Sequence, residues 1–170
     1  MLPPRLYTPR VLSQNPSVSD PWCQRASGLA LVLLGAWVGS LLLLASVVAP
    51  AAFAVAPTSA EAGNLVGRVL AVLDWAGVIA GLALAGISAW LGRGAGSLSL
   101  ALLMSLACLL SRLLLTPAIA ALRPFLQDPE VRARFGLLHG LSVGAFGAVT
   151  LAGVALVVLH LRALEPKKTG

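Results

Sequence analysis

Three ionisable side chains, Asp74, Arg112 and His139, stand inside stretches of apolar residues. Each stretch is long enough to cross a bilayer, where a charged group is costly and normally faces the interior of a helical bundle. Such residues are default candidates for a proton, ion or substrate site. A structural ion pair is the alternative for Asp74 and Arg112, because a charge near the bilayer centre needs a partner whatever the function. The sequence leaves both interpretations open.

Helical periodicity places each of these residues on a stripe of small or polar neighbours. The stripes are Asp74 with Gly77, Gly81 and Ser88, Arg112 with Ser105, Cys108 and Thr116, and His139 with Ser142 and Thr150. At 1.5 Å per residue, Asp74 and His139 lie about 9 Å and about 8 Å beyond the nearest flanking arginine, and Arg112 lies about 16 Å deep. The long Arg112 side chain can cover the difference in depth, so we predict a direct pair with Asp74.

The remaining reactive side chains form no recognisable catalytic or metal-binding pattern. His139 and His160 are 21 residues apart, which is about 31 Å along a helix, so they cannot share a metal or a haem. Cys23 and Cys108 lie at different depths, and neither has a companion ligand at metal-type spacing. No nucleophile–base set, paired carboxylates or phosphate loop is visible. The sequence therefore predicts a non-enzymatic protein without a metal or another cofactor.

The composition is that of a membrane protein. Of the 170 residues, 58% are hydrophobic and 11% are charged, and the mean hydropathy is +0.92. A soluble domain carries about 25% charged residues because its surface faces water. The net charge of +6 comes from arginines and lysines that stand singly or in pairs, without the basic patch of a nucleic-acid-binding surface. We therefore expect the lipid bilayer, and not nucleic acid, as the partner of this surface.

Four apolar runs divide the chain. We predict a Pro-rich tail over 1–26, a transmembrane domain over 27–162 with spans at about 28–49, 69–91, 97–122 and 136–161, and a basic tail over 163–170. Pro50 and Pro57 are expected to end the first span, and Pro117 to kink the third. A signal peptide cleaved near Ala54–Ala56 is the alternative for the first run, but the leading tail and the apolar stretch are both longer than those of a signal peptide.

Turn and cap residues join the spans into an all-α, antiparallel four-helix transmembrane bundle. The Gly92–Gly96 segment is short enough to predict a helical hairpin, and Asp128 followed by Pro129 and Glu130 predicts a helix start. Seven Lys and Arg residues flank the spans on the side of the two termini, against four on the other side. This excess predicts cytoplasmic termini in a multi-pass protein of the cell inner membrane.

Small residues recur at every fourth position in three of the runs. This spacing lets helices approach closely in lipid, where no hydrophobic force drives them together. The candidate packing residues are Gly35, Gly39, Gly77, Gly81, Gly140 and Gly144. They predict a compact bundle, together with a face for another membrane protein or for a second copy of the chain.

Several segments resemble a known family. They are Gly35-Ala36-Trp37-Val38-Gly39 with Val48-Ala49-Pro50 and Phe53, Gly63 with Gly67-Arg68, Thr116-Pro117-Ala118-Ile119 with Leu122-Arg123, and Arg134-Phe135-Gly136-Leu137-Leu138-His139-Gly140-Leu141-Ser142. Over about residues 29–160 the chain resembles the family typified by transmembrane protein 205, whose bacterial members are classed as domain of unknown function 4149. The resemblance implies a four-helix membrane protein without an agreed activity. Asp74 departs from the family pattern, in which an aromatic or apolar residue often stands near that position.

Two functional hypotheses follow from the sequence. The first is a non-enzymatic subunit or accessory protein that docks other membrane components through its glycine-rich faces. The alternative is a small transporter or permeation element that uses Asp74, Arg112 and His139.

Overall fold

The computed structural model describes residues 21–164, which form four helices joined by short connections. The helices are α1 Pro21–Val55, α2 Ser59–Trp90, α3 Gly94–Phe125 and α4 Pro129–Arg162. With 32 to 35 residues each, they are about 48–53 Å long, more than the roughly 30 Å of a hydrocarbon core. The prediction of four long apolar helices is therefore confirmed, and the described residues contain no strand.

The helices extend beyond the predicted spans. The first begins at Pro21, so residues 21–26, predicted to belong to the N-terminal tail, are helical. It continues through Pro50 to Val55, so of the two prolines predicted to end the first span only Pro57 follows the helix, and the expectation for Pro50 is wrong. The connection between α2 and α3 is also shorter than predicted, because α3 already begins at Gly94. Residues 1–20 and 165–170, which hold most of the two predicted tails, lie outside the described residues.

Pro50 and Pro117 are accommodated by a wider helical turn. Leu44–Val48 of α1 and Ser111–Leu115 of α3 are π turns, closed by hydrogen bonds from Ala49 N–H to the Leu44 carbonyl and from Thr116 N–H to the Ser111 carbonyl. A proline lacks the N–H of the normal ladder, and its ring crowds the carbonyl four residues earlier. In both helices the π turn begins six residues before the proline. The two helices are thus interrupted in the same way, and π turns are frequent at functional sites.

Local hydrogen bonds fix the helix ends. The Asp128 carboxylate accepts from the Glu130 N–H at 2.8 Å, which confirms the predicted start of the fourth helix. Thr58 caps α2 in a similar way, accepting from the Glu61 N–H at 3.2 Å. Gly92 and Gly94 have positive φ angles of 61° and 80°. Glycine adopts this conformation without a Cβ clash, which allows the tight turn between α2 and α3.

The core forms around Trp37 of α1. Its ring lies against two glycines, and a Cβ added at Gly77 of α2 or Gly153 of α4 would stand 3.0 Å or 3.2 Å from it. The largest fully buried apolar side chains are Leu34, Leu84, Met104 and Leu156. All buried residues of α4 lie from Val149 onward, so the preceding half of this helix packs less closely on the bundle.

Candidate functional site

Asp74 lies on the buried face of α2, with 6% of its surface exposed. Its carboxylate accepts a hydrogen bond from the Ser111 hydroxyl at 3.1 Å. Ser111 is the first residue of the π turn in α3, so the interruption of that helix also supplies the partner of the buried acid.

Arg112 does not form the direct pair that we predicted with Asp74. Within residues 21–164 the structure contains no ion pair between them, and Arg112 acts on Asp74 only as a nearby charge. The Arg112 Nε is buried and has no hydrogen-bond partner in the described part of the chain. A neutral hydroxyl, and not a guanidinium, therefore holds the acid in place.

A void of about 20 Å³ lies beside Asp74 and is called the narrow void below. Its walls include Trp37, Cys108, Ser111 and Ser142. This volume is about that needed for one water molecule. The Trp37 Nε1 is buried and has no hydrogen-bond partner among residues 21–164, so the wall of the void carries an unused donor as well as the carboxylate.

A larger space, called the wide cavity below, has a volume of about 330 Å³ and is lined by all four helices. It lies in the half of the bundle that holds the 56–58 and 126–128 connections. Its lining residues are Leu44, Ala45, Ala49, Phe53, Gly63, Val66, Gly67, Leu70, Thr116, Ile119, Arg123, His139, Ser142, Val143 and Phe146. Leu70, Ser142 and Phe146 also line the narrow void, so the two spaces adjoin. The wide cavity falls within the usual range of ligand sites, about 300–1,000 Å³.

Among the described residues that line the wide cavity, Arg123 is the one with a permanently charged side chain. It donates from Nη2 to the Gly63 carbonyl at 2.9 Å and from Nη1 to the Asn64 side-chain oxygen. The guanidinium rests against Gly63 and Gly67, where an added Cβ would stand 3.6 Å and 3.4 Å from Nη2. From the sequence alone, Arg123 counts among the charges that set the topology and among the segments of the family resemblance, but not as a site residue. The two glycines four residues apart, just before the second predicted span, were the available signal for a close neighbour.

His139 lies on the wall of the wide cavity, away from Asp74. Its ring stacks on Phe135, with ring centroids 5.7 Å apart and planes 6° from parallel. The three predicted polar residues therefore occupy different places. Asp74 borders the narrow void, His139 borders the wide cavity, and Arg112 lines neither space.

The predicted packing glycines divide into two groups. A Cβ at Gly81 would overlap the Ser105 hydroxyl and stand 2.9 Å from the Ala101 carbonyl, and one at Gly77 would stand 2.6 Å from the Cys108 sulfur. The other four have no atom of the described chain within 4 Å of an added Cβ; they are Gly35, Gly39, Gly140 and Gly144. Gly77 and Gly81 thus serve close contact inside the bundle, whereas the other four lie open on its outer surface, and their packing against a partner or a second copy stays a prediction.

The end of the bundle opposite the wide cavity is tied together by polar side chains. Arg93 Nη2 donates to the Ser27 hydroxyl at 2.5 Å, and this hydroxyl donates to the Cys23 carbonyl at 2.8 Å. Burial lowers the pKa of the Arg93 guanidinium from its ordinary value. His160 is buried nearby, with Nδ1 2.9 Å from the Leu156 carbonyl. Within residues 21–164, no group of three His, Cys, Asp or Glu side chains is placed to hold a metal ion.

The fold and these internal spaces define a multi-pass membrane protein with a polar centre. Residues 32–124 match the family model described as "Domain of unknown function (DUF4149)". The match covers more than half of the 170 residues, so the chain belongs to this family. It contains Asp74 and Arg123 but ends before the 134–142 segment that contains His139. Neither a curated protein nor a solved structure matches the chain.

Proposed function

We propose that this protein is a small transporter or permeation element, with a route from the wide cavity to Asp74. The observation that carries the proposal is that the two spaces adjoin through Leu70, Ser142 and Phe146. A buried carboxyl near a space at one end of a bundle suits a site with access from one side. At the opposite end, a hydrogen bond from Arg93 to Ser27 joins the α2–α3 turn to α1. The cavity supports this proposal, which the sequence alone ranked second to a docking subunit.

The interrupted helices support the same proposal. In membrane transporters, paired interruptions at corresponding positions of two halves point to the binding site. The α1 and α3 helices carry such a pair, each a π turn followed by a proline. Leu44 and Thr116, at the two interruptions, line the wide cavity, and Ser111 lines the narrow void.

A cysteine at position 142 tests this route without knowledge of the substrate. In a background with Cys23 and Cys108 replaced by serine, Ser142→Cys should react with a small, membrane-impermeant methanethiosulfonate reagent. Val154→Cys is the matched control, because Val154 is 44% exposed on the apolar surface of the same helix. A thiol reacts as its thiolate, which lipid disfavours. We expect Ser142→Cys to react at least about tenfold faster. Equally slow reaction of both cysteines would exclude a solvent-accessible route.

We also propose that the helices form an antiparallel bundle in the inner membrane with cytoplasmic termini. Contacts between α2 and α3 run in opposite order along the two helices, from Gly81 with Ala101 to Asp74 with Ser111. The seven-to-four charge excess supports the orientation, although Arg5, Arg10, Lys167 and Lys168 lie outside the described residues.

Fusions with alkaline phosphatase, which is active only outside the cytoplasm, test this orientation. A fusion at the C-terminus should be inactive, and one inserted in the 126–128 connection should be active, because α4 crosses the bilayer between these points. The reverse pattern would place the wide cavity on the cytoplasmic side. Activity at both points would contradict the number of crossings.

A docking role remains the second candidate, and the outward glycines favour it. Gly35 and Gly39 on α1, and Gly140 and Gly144 on α4, are exposed with open space around them. Glycines on a lipid-facing surface allow the backbone of another helix to approach closely. If this face docks a partner or a second copy, Gly39→Leu should abolish the association measured by crosslinking in native membranes, without changing the stability of the chain itself.

A further inference from the structure

The Arg123 guanidinium retains hydrogen-bonding capacity toward the wide cavity. A guanidinium carries five N–H donors, and two bonds are formed, to the Gly63 carbonyl and to Asn64. Both partners are neutral, and within residues 21–164 no acidic side chain forms an ion pair with Arg123. The α2 contacts also fix the position of the guanidinium. The cavity therefore contains a preorganised positive charge with unused donors.

The rest of the wide cavity is mostly apolar. Its walls include Phe53, Val66, Leu70, Val143 and Phe146, and none of the described residues that line it is Asp or Glu. A small inorganic anion would pair with Arg123 but leave these walls uncovered. A neutral hydrocarbon would cover the walls but leave the remaining N–H donors of the guanidinium without an acceptor.

We infer that the wide cavity binds an anionic amphiphile, with its carboxylate or phosphate head on Arg123 and a single acyl chain along the apolar walls. The inference rests on the proposed function, since it names the ligand class of the same cavity. A planar guanidinium suits either head group, because both present two oxygens to its parallel N–H donors. The apolar walls favour a ligand with an acyl chain, and Arg123 favours a ligand with a negatively charged head group.

The test is binding of a fluorescently labelled dodecanoate to the full-length protein in phosphatidylcholine nanodiscs, with the signal of empty discs subtracted. Arg123→Gln should weaken binding about tenfold or more, because it removes a charge-assisted contact. Arg132→Gln is the matched control, since Arg132 lies outside the cavity and its Nε donates to the Leu126 carbonyl at 3.2 Å. Its affinity should stay within about twofold of the unmodified protein.

Two further probes distinguish the contribution of the charged head group to binding from that of the acyl chain. The labelled dodecanol, which has the same chain without the charge, should bind more weakly and be insensitive to Arg123→Gln. Val143→Trp should weaken dodecanoate binding by filling the cavity, and it remains informative if Arg123→Gln fails to fold. The inference is overturned if dodecanoate binds Arg123→Gln and the unmodified protein alike, if the alcohol binds as well as the acid, or if Val143→Trp has no effect.

Competition identifies the source of the head group. Displacement by unlabelled dodecanoate but not by lysophosphatidylglycerol assigns the site to a free carboxylate, and displacement by lysophosphatidylglycerol, which has one acyl chain and a phosphate head, assigns it to a single-chain phospholipid. Displacement by millimolar inorganic phosphate alone would overturn the proposal of an amphiphilic ligand, because it would show that the site binds a simple anion.

The Ser142→Cys reaction distinguishes failure of the ligand class from failure of the proposed function. If this cysteine reacts and no amphiphile binds, the ligand class is wrong and the route remains; if it does not react, the proposed function fails.

Discussion

Gly81→Leu is expected to lower the melting temperature of the purified chain in detergent by about 6–12 °C, as a loss of about 3 kcal/mol would. The reason is the close approach of α2 and α3 at this residue. An added Cβ would overlap the Ser105 hydroxyl and stand 2.9 Å from the Ala101 carbonyl. A backbone carbonyl cannot rotate aside as a side chain can, so the helices must separate. Their separation would also break the 3.1 Å bond from the Ser105 hydroxyl to the Val78 carbonyl.

Gly86→Leu is the matched control, because Gly86 lies on the same helix and no described neighbour comes within 4 Å of an added Cβ. Its melting temperature should change little, since the added side chain enters open space. Gly77→Leu should fall between the two, because the nearest atoms there belong to the side chains of Cys108 and Trp37. Equal melting temperatures for Gly81→Leu and Gly86→Leu would contradict the close contact between α2 and α3.

The helices could be predicted from the sequence because their signals are local and strong. Long apolar runs predicted the four helices, and Asp128 predicted the start of the last one. Pro50 misled the prediction because a proline inside a helix resembles a proline that ends it. The difference lies in the π turn at Leu44–Val48, which absorbs the missing hydrogen bond and has no clear sequence signature.

The error at Asp74 has a geometric cause. The depth of each residue, estimated from the rise per residue of a helix, places Arg112 within reach of Asp74. This estimate ignores the direction in which each side chain leaves its helix. Successive residues of a helix point about 100° apart, and it is Ser111, the residue before Arg112, that faces Asp74. The glycine spacing had a related weakness. It identified surfaces that can be approached closely, but not which helix approaches them, so it missed the close contact at Gly153 and could not show that Gly35 faces outward.

The absence of a direct ion pair changes what is expected from removing the two charges. Asp74→Leu leaves Arg112 as an uncompensated charge in the bilayer, which can cost about 2.5–3.5 kcal/mol at the centre of a helix. The cost should be lower here, because Arg112 is only partly buried and its long side chain can bend toward the interface. Ser111→Ala removes only a polar contact, and such contacts average about 0.6 kcal/mol in membrane proteins. We therefore expect Asp74→Leu to lower stability clearly more than Ser111→Ala.

A double-mutant cycle decides between the two partners of Asp74. Asp74→Leu combined with Arg112→Leu should recover part of the lost stability, and the recovery should persist in a Ser111→Ala background, because charge interaction does not need the hydroxyl. Strictly additive losses of stability for the Asp74 and Arg112 variants would show that the charges do not interact.

A stable double variant also distinguishes a structural role of the two charges from a functional one. If it folds but no longer complements a deletion of its gene, while Ser142→Cys in the same variant still reacts, the route is intact and the buried charges carry the activity itself.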